Sequence, residues 1–285
     1  MEMRSLRRFS SPCLLLALAV TASCASSRSA ASGATSQKSA DPHAAVVSLA
    51  ARIRAADYAA DRPVLAKLFE DLAPYTSGPM AARARYWRGF AMWRRALNGF
   101  NDDADKAELA ADLRRGIEEF EGALAIDPRF VDAKIADASC IVNLAVLTAG
   151  PERTEGYKRH RELLNEALKD APANPRLAWV WGATVFYSPP ELGGGQTRAI
   201  EVYEAGLGAA RRERVTDTVD PSWGEPELLM NLAFANLNKT PPDLDAAERH
   251  ARAALVLVPT WHYVRDILIP QIQTAKRKAA GAPKT

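Results

Sequence analysis

The segment GIEEFEGALAIDP, residues 116–128, carries the residue pattern from which the fold of this chain is predicted. Its small residue Gly116 is followed by Phe120, by the small Ala123 and by Pro128, at spacings of four, three and five. On a helix the first three positions share one face, so a neighbouring helix can approach the small residues while the aromatic ring fills the gap. The proline then ends the helix, because it has no backbone N–H to donate. The stretch therefore predicts one helix of a packed pair.

The same order of residue sizes returns three times further along the chain. The third copy has Arg211 where the proline is expected, and the distances between copies vary from 39 to 48 residues. A unit that recurs in this way predicts stacked helix pairs. The recurring positions are His160, Leu164, Ala167 and Pro172, then Ala199, Tyr203 and Gly206, then Ala247, Ala251, Ala254 and Pro259.

These four stretches resemble the second helix of a tetratricopeptide repeat. The resemblance implies an all-α fold over residues 43–280, a solenoid of stacked antiparallel helix pairs closed by a C-terminal capping helix. It also implies a role in binding rather than catalysis, because such stacks present a concave surface to partners. Within this fold Pro270 is expected to kink the last helix.

The N-terminus is typical of an exported protein. Residues 1–23 combine arginines with the short apolar run CLLLALAVTA, which predicts a signal peptide. The sequence Thr21-Ala22-Ser23-Cys24 resembles the lipobox of bacterial lipoproteins, and this resemblance implies a lipid on Cys24. The alternative is an ordinary signal cleaved after Ala22. Residue Ala25 favours the outer membrane over the inner one, so we expect a periplasmic, outer-membrane-anchored protein.

Composition predicts a tether, a tail and several exclusions. Residues 24–42 are rich in Ala and Ser and are expected to form a flexible tether, with a disordered tail at 281–285. The 37 basic and 34 acidic side chains nearly balance, which argues against nucleic acid as a partner. Past the tether, Cys140 is the remaining cysteine. We find neither a nucleophile motif nor a metal-ligand spacing, so we expect no catalytic residues, no metal, no cofactor and no enzymatic activity.

The first helices of the pairs predict a concave surface. With these helices aligned on Gly89, Gly182 and Ala233, one face is largely aromatic and apolar, with a few polar groups. Such a groove suits an extended peptide, a helix or an apolar ligand. The alternative is that these side chains fill the interior of the stack. The predicted groove consists of Arg83, Tyr86, Phe90, Trp93, Arg94, Trp179, Phe186, Tyr187, Met230 and Phe234, with Asp132, Ser139 and Asn143 from the middle pair.

The loop SPPELGGGQTRA, residues 188–199, is longer than a simple turn requires. It resembles loops of the periplasmic repeat lipoproteins that accompany tripartite (TRAP) transporters. Because Gly193, Gly194 and Gly195 precede a helix, their amides could contact an anion or a peptide carbonyl. The alternative is a tight reversal in which the prolines end one helix and the glycines allow the turn.

Two functions agree with these patterns. The first is a lipid-anchored periplasmic scaffold or adaptor that binds another protein or a peptide in the concave aromatic groove. The second is an accessory lipoprotein of a solute transporter of the TRAP type, which holds a small organic ligand between its helices. The sequence predicts contact with the membrane through the lipid anchor alone.

Overall fold

The computed structural model describes residues 41–281, and all regular structure in that range is helical. The all-α prediction is therefore confirmed. The predicted signal peptide, Cys24 and most of the tether and tail lie outside the described residues. Two predicted boundaries shift, because Asp41 caps the first helix and Gly281 ends the last one.

Eleven α-helices follow one another in the described range, as α1 Pro42–Tyr58, α2 Arg62–Asp71, α3 Ala81–Asn101, α4 Lys106–Ile126, α5 Val131–Leu147, α6 Gly150–Asp170, α7 Pro175–Tyr187, α8 Gln196–Arg212, α9 Glu225–Asn238, α10 Leu244–Leu257 and α11 Ile269–Gly281. Short 3₁₀ turns follow α2 and α7. Several helices begin at an acidic or amide cap: Asp61 accepts a hydrogen bond from the amide of Val64, and Asn174 from that of Arg176.

Consecutive helices pack as pairs, α3 with α4, α5 with α6, α7 with α8 and α9 with α10. Small residues allow the close approach. A Cβ atom at Gly89 would lie 2.8 Å from the ring of Phe120, and one at Gly182 would lie 2.2 Å from the ring of Tyr203. The predicted pattern of small and large residues is thus the pattern of helix contacts. The repeated alanines Ala123, Ala167 and Ala254 are all fully buried.

The described part of the chain ends in a helix that covers the last pair. Residues Tyr263–Leu268 are π-helical and lead directly into α11. A proline cannot donate to the carbonyl four residues earlier, and a wider turn accommodates the loss. The irregularity predicted as a kink at Pro270 is therefore a π-helical segment just before it. Val264, Leu268 and Ile272 are fully buried, so this segment caps the solenoid as expected.

Candidate binding surface

The aromatic residues that α3 contributes to the predicted groove are buried. Tyr86 and Trp93 are fully inaccessible, Phe90 is 2% exposed and Arg94 is 5% exposed. The prediction of an open groove is wrong at these positions, and the alternative of a filled interior holds there. Arg83 is half-exposed, but its guanidinium is engaged by Asp127 and Asp220 and lies on the Phe130 ring.

Helix α1 is one of the two elements that fill this part of the concave side. Its residues Val46, Leu49 and Ile53 belong to the same apolar cluster as Trp93 and Trp223. The C-terminal end of α1 reaches the far end of the solenoid, where the Tyr58 ring lies 5.0 Å from the Trp261 ring in an edge-on arrangement. The pattern of small and large residues in the sequence does not reveal this bridging position.

The second filling element is the connection between α8 and α9, residues 213–224, which we call the strap. The indole of Trp87 donates to the carbonyl of Val219 at 2.8 Å, and Trp223 donates to the Tyr86 hydroxyl at 2.9 Å. The Trp223 ring packs edge-on, 5.8 Å from the Trp93 ring and 5.7 Å from the Trp179 ring. The strap thus places a tryptophan in the middle of the predicted groove.

The edge of the strap is held by ion pairs. Arg176 on α7 contacts Asp132 and Glu213 at 2.5 Å each, and donates to the carbonyl of Trp223 at 3.1 Å. Burial lowers the pKa of Arg176, but the two carboxylates outweigh this effect, and its net pKa is raised. Arg176 therefore stays charged and joins three elements of the fold. Around it lies a polar cleft of about 310 Å³ whose rim includes Arg129 and Arg214.

A second charged group lies deeper, where α1, α3 and α9 meet. Arg94 Nε lies 2.8 Å from Asp57 Oδ2, and the Asn98 amide donates to Asp57 Oδ1 at 3.1 Å. Nearby, Tyr58 donates to Glu227 Oε1 at 2.5 Å, while Glu227 Oε2 accepts from the backbone amide of Gly224 at 2.8 Å. Burial lowers the pKa of Arg94, but the Asp57 carboxylate raises it by more, so this guanidinium is a cation inside the protein.

Four buried donor atoms in this region have no hydrogen-bond acceptor among residues 41–281. They are the indole N–H groups of Trp93 and Trp179 and the Nε and Nη1 groups of Arg94, of which Nε lies 2.8 Å from Asp57 Oδ2 as an ion pair without hydrogen-bond geometry. The Arg94 guanidinium lies 5.7 Å from the ring centres of both tryptophans, so the three side chains form one buried cluster. We call it the donor cluster. A buried donor without a partner is costly, and such groups are rare in folded proteins.

The C-terminal half of the predicted groove remains accessible. Helix α7 presents Trp179, Ala183 and Tyr187 at helical spacing on one side, and α9 presents Met230 and Phe234. Tyr187 is 75% exposed, whereas Trp179, Met230 and Phe234 are half-buried. We call these five residues the open face. Phe186 is buried beneath them, with its ring 6.0 Å from that of Phe234.

The glycine loop is a turn and not an anion site. The amides of Gly193, Gly194 and Gly195 donate to the carbonyls of Pro190, Pro189 and Val185 at 2.9, 3.1 and 2.8 Å. Gly193 and Gly195 adopt positive φ angles of 78° and 114°. A Cβ at Gly194 would lie 2.3 Å from the Ser188 carbonyl oxygen. The amides are already used within the chain, so the prediction that they contact an anion is wrong.

Within residues 41–281 there is no cluster of three His, Cys, Asp or Glu side chains arranged to hold a metal ion. None of the helices in this range combines the length and the apolar character that a membrane span requires. Of the middle-pair residues, Ser139 is buried, and Asn143 donates to its carbonyl at 2.7 Å, so neither points freely into a groove.

Comparison with known proteins gives a likeness in fold. No protein-family model matches the sequence, and no curated protein matches it. A similar solved structure is that of the HusA haemophore from Porphyromonas gingivalis, with a TM-score of 0.58 and 15% sequence identity. The alignment covers 70% of this chain and 94% of that chain. At this identity the likeness shows that the two proteins share an arrangement of helices.

Proposed function

We propose that this protein is an exported binding protein that holds a small amphiphilic molecule on its open face, and that it is not an enzyme. The observation that carries the proposal is the half-filled concave side. Trp223 of the strap packs on Tyr86, Phe90 and Trp93, and α1 belongs to the same apolar cluster, whereas Tyr187 and Phe234 remain accessible. Aromatic and apolar side chains at a concave position are typical of ligand sites.

The size of the open face favours a small molecule over an extended protein segment. From Trp179 to Tyr187 there are eight residues of helix, a length of about 12 Å. An extended peptide advances about 3.3 Å per residue, so this length accommodates about four residues. The adaptor function needs the whole groove, and its N-terminal half is filled. We therefore favour the accessory, ligand-holding function that the sequence also predicted.

The structural neighbour supports the same class of function. HusA is named as a haemophore, and its helices superimpose on most of this chain. We propose by analogy that the present protein also carries a ligand, and that its helix pairs are divergent tetratricopeptide repeats. A tyrosine or a methionine can coordinate haem iron, and Tyr187 and Met230 both lie on the open face. Haemin therefore belongs among the candidate ligands.

A neutral fluorescent probe tests the proposal. N-phenyl-1-naphthylamine emits strongly in apolar sites and carries no charge, and we expect the purified protein to enhance its emission saturably. Tyr187→Ser and Phe234→Ser should each weaken probe binding severalfold, because they remove apolar contact area. Val256→Ser is the matched control, since Val256 is 79% exposed but lies on α10, outside the open face.

Two outcomes would count against the proposal. Unsaturable emission, or equal loss in all three variants, would contradict the proposed site. If the protein bound peptides from a library saturably and did not bind the dye, the adaptor function would be favoured instead.

A haemin titration followed by its Soret band, repeated with Tyr187→Phe, reports whether haem is the ligand and whether the phenol coordinates it.

The location is a separate proposal. We propose that the lipobox-like sequence directs lipidation of Cys24 and that the folded domain works in the periplasm, anchored in the outer membrane. A Cys24→Ala variant should lose labelling by a radioactive or clickable fatty acid and should move to the soluble periplasmic fraction. Membrane association that is unchanged in this variant would rule out the anchor.

A further inference from the structure

A hollow of about 360 Å³ lies between α7 and α8, and none of the five open-face residues lines it. This volume falls within the range of ligand pockets, roughly 300–1,000 Å³. The lining is mainly apolar and comes from both helices, as Leu177 and Trp181 of α7 and Val202, Ala205, Gly206 and Ala209 of α8. The hollow therefore has the room and the surface of a second site, which the proposed function does not use.

Small side chains on α8 create this room. Gly206 brings the two helices together, because a Cβ atom there would lie 2.4 Å from the Cβ atom of Ala178. Ala205 and Ala209 lie beside this contact at a spacing of four residues and leave the space next to it open. Ala205 is exposed, so the packing of helices does not require a small residue there. A larger side chain at this position would fill part of the hollow.

Trp181 forms a wall of the hollow. It is half-buried and packs against two apolar groups of the core, one that includes Leu163 and Leu177 and one that includes Tyr203 and Leu228. The core therefore holds this side chain in place while part of it faces the hollow. Aromatic rings pack favourably on one another in edge-on or offset arrangements. A fixed indole beside apolar side chains thus suits a ligand with an aromatic body.

The charges at the hollow favour an anion. Two arginines, Arg198 and Arg212, line it together with one carboxylate, that of Glu201, so two positive charges face one negative charge. Arg198 contacts Glu201 at 2.8 Å, whereas no carboxylate among residues 41–281 lies within ion-pair distance of Arg212. The neighbouring Glu213 is bound to Arg176. A guanidinium binds the oxygens of carboxylate and phosphate groups through parallel hydrogen bonds, so Arg212 is available to hold an anionic group.

We infer that the hollow binds a small aromatic anion, with its rings against Trp181 and its negative group on Arg212. The positions of these two side chains agree with such a ligand. Tyr203 packs against Gly182, the residue after Trp181, and Arg212 follows Tyr203 by nine residues, about 13 Å along α8. The small residues of α8 lie in this interval and form the floor under the ligand. The site is separate from the open face and does not depend on the proposed function.

A matched pair of dyes tests the charge. The dye 1-anilinonaphthalene-8-sulfonate has the rings of N-phenyl-1-naphthylamine and adds a sulfonate, which presents anionic oxygens. We expect it to bind the purified protein saturably, and Arg212→Gln to weaken this binding about fivefold, the loss expected for one partly solvated ion pair, without affecting the neutral dye. Arg211→Gln is the control, because Arg211 pairs with Glu225 and does not line the hollow. Equal weakening in both variants, or in neither, would overturn the assignment of Arg212.

Filling the hollow tests the location of the site. Ala205→Leu should weaken binding of the sulfonate dye severalfold by occupying its space, while the neutral dye on the open face is unaffected. Ala51→Leu, at another exposed alanine on α1, is the control. Tyr187→Ser should show the opposite pattern and weaken the neutral dye alone. If Tyr187→Ser weakened the sulfonate dye and Ala205→Leu did not, the site in the hollow would be overturned and the proposed function would stand.

Discussion

Tyr58 and Glu227 are 169 positions apart in the sequence, and the phenol of the first donates to the carboxylate of the second at 2.5 Å. Tyr58 ends α1, and Glu227 lies in the first turn of α9. The contact joins the first described helix to the last repeated pair. It explains why the concave side is filled in its N-terminal half, since α1 must cross that side to reach α9.

Removal of the Tyr58 hydroxyl tests how strongly this connection holds. Burial raises the pKa of Tyr58, and the Glu227 carboxylate adds to the effect, so the phenol stays protonated and donates. We expect Tyr58→Phe to lower the free energy of unfolding by about 1.5–3 kcal/mol, the usual range for a hydrogen bond to a charged group. Urea denaturation followed by circular dichroism measures it. Tyr75→Phe, in a half-exposed 3₁₀ turn, is the control, and equal losses in both variants would refute the connection.

Asp137 predicts an unusual dependence of stability on pH. It is fully buried on α5, and its two carboxylate oxygens have no hydrogen-bond partner among residues 41–281. Burial raises the pKa of this carboxyl to about 8, with a further contribution from Glu121. An unfolded aspartate has a pKa of about 3.9, so between about pH 4 and pH 8 the folded state binds more protons than the unfolded state.

Stability should therefore fall as the pH rises through this window, and the loss should be complete above about pH 8. Asp137→Asn removes the titrating group, and we expect it to flatten the profile and to be more stable than the original protein at pH 8. The measurement is the urea midpoint at pH 5, 6.5 and 8. The assignment would be contradicted if the urea midpoint changed by the same amount between pH 5 and pH 8 in the wild type and in Asp137→Asn.

Cys140 should be unreactive in the folded protein. Burial raises the pKa of its thiol well above the ordinary value, and the nearby Asp137 adds to the effect. Its sulfur also lies 3.0 Å from where a Cβ on Gly116 would be, so there is little room for a reagent. We expect iodoacetamide to leave Cys140 unmodified in buffer and to modify it fully in urea, as read by peptide mass mapping. Rapid modification in buffer would show that α4 and α5 separate.

Gly182 tests the close approach of α7 and α8. A Cβ there would lie 2.2 Å from the Tyr203 ring, which is itself buried. We expect Gly182→Ala to cost about 1–3 kcal/mol through overpacking. Gly208→Ala is the matched control, because its nearest neighbour is the end of the flexible Arg212 side chain, at 3.3 Å. Alanine should stabilise α8 there by about 0.5–1 kcal/mol. If Gly182→Ala left the free energy of unfolding unchanged, this would argue against the close contact of α7 and α8.

The helix pairs were predictable because the residues that define them lie close together in the sequence. Gly89, Gly182 and Ala123 differ in size from their neighbours at a helical period, and the prolines mark the ends of helices. The face of each first helix that turns towards the concave side was also predictable, since Tyr86 and Trp93 do point there. These patterns depend on spacing within about 15 residues, which a single sequence contains.

What fills the concave side was not predictable from the same patterns. The contacts that close it, such as Trp223 with Tyr86 and Tyr58 with Glu227, connect residues more than 130 positions apart. Two signals in the sequence do point towards them. The strap is longer than a repeat turn and carries a tryptophan among polar residues, and α1 has Val46, Leu49 and Ile53 on one apolar face.

Hydrogen exchange of the α1 amides tests whether α1 fills the N-terminal half of the concave side, the arrangement that confines the proposed site to the open face. Leu49, Ile53 and Trp93 are all buried in one cluster. We predict that the amides of Leu49 and Ile53 exchange as slowly as that of Trp93, through global unfolding. Exchange of the α1 amides at nearly peptide rates, with α3 still protected, would show that α1 does not stay packed in the groove and would contradict this arrangement.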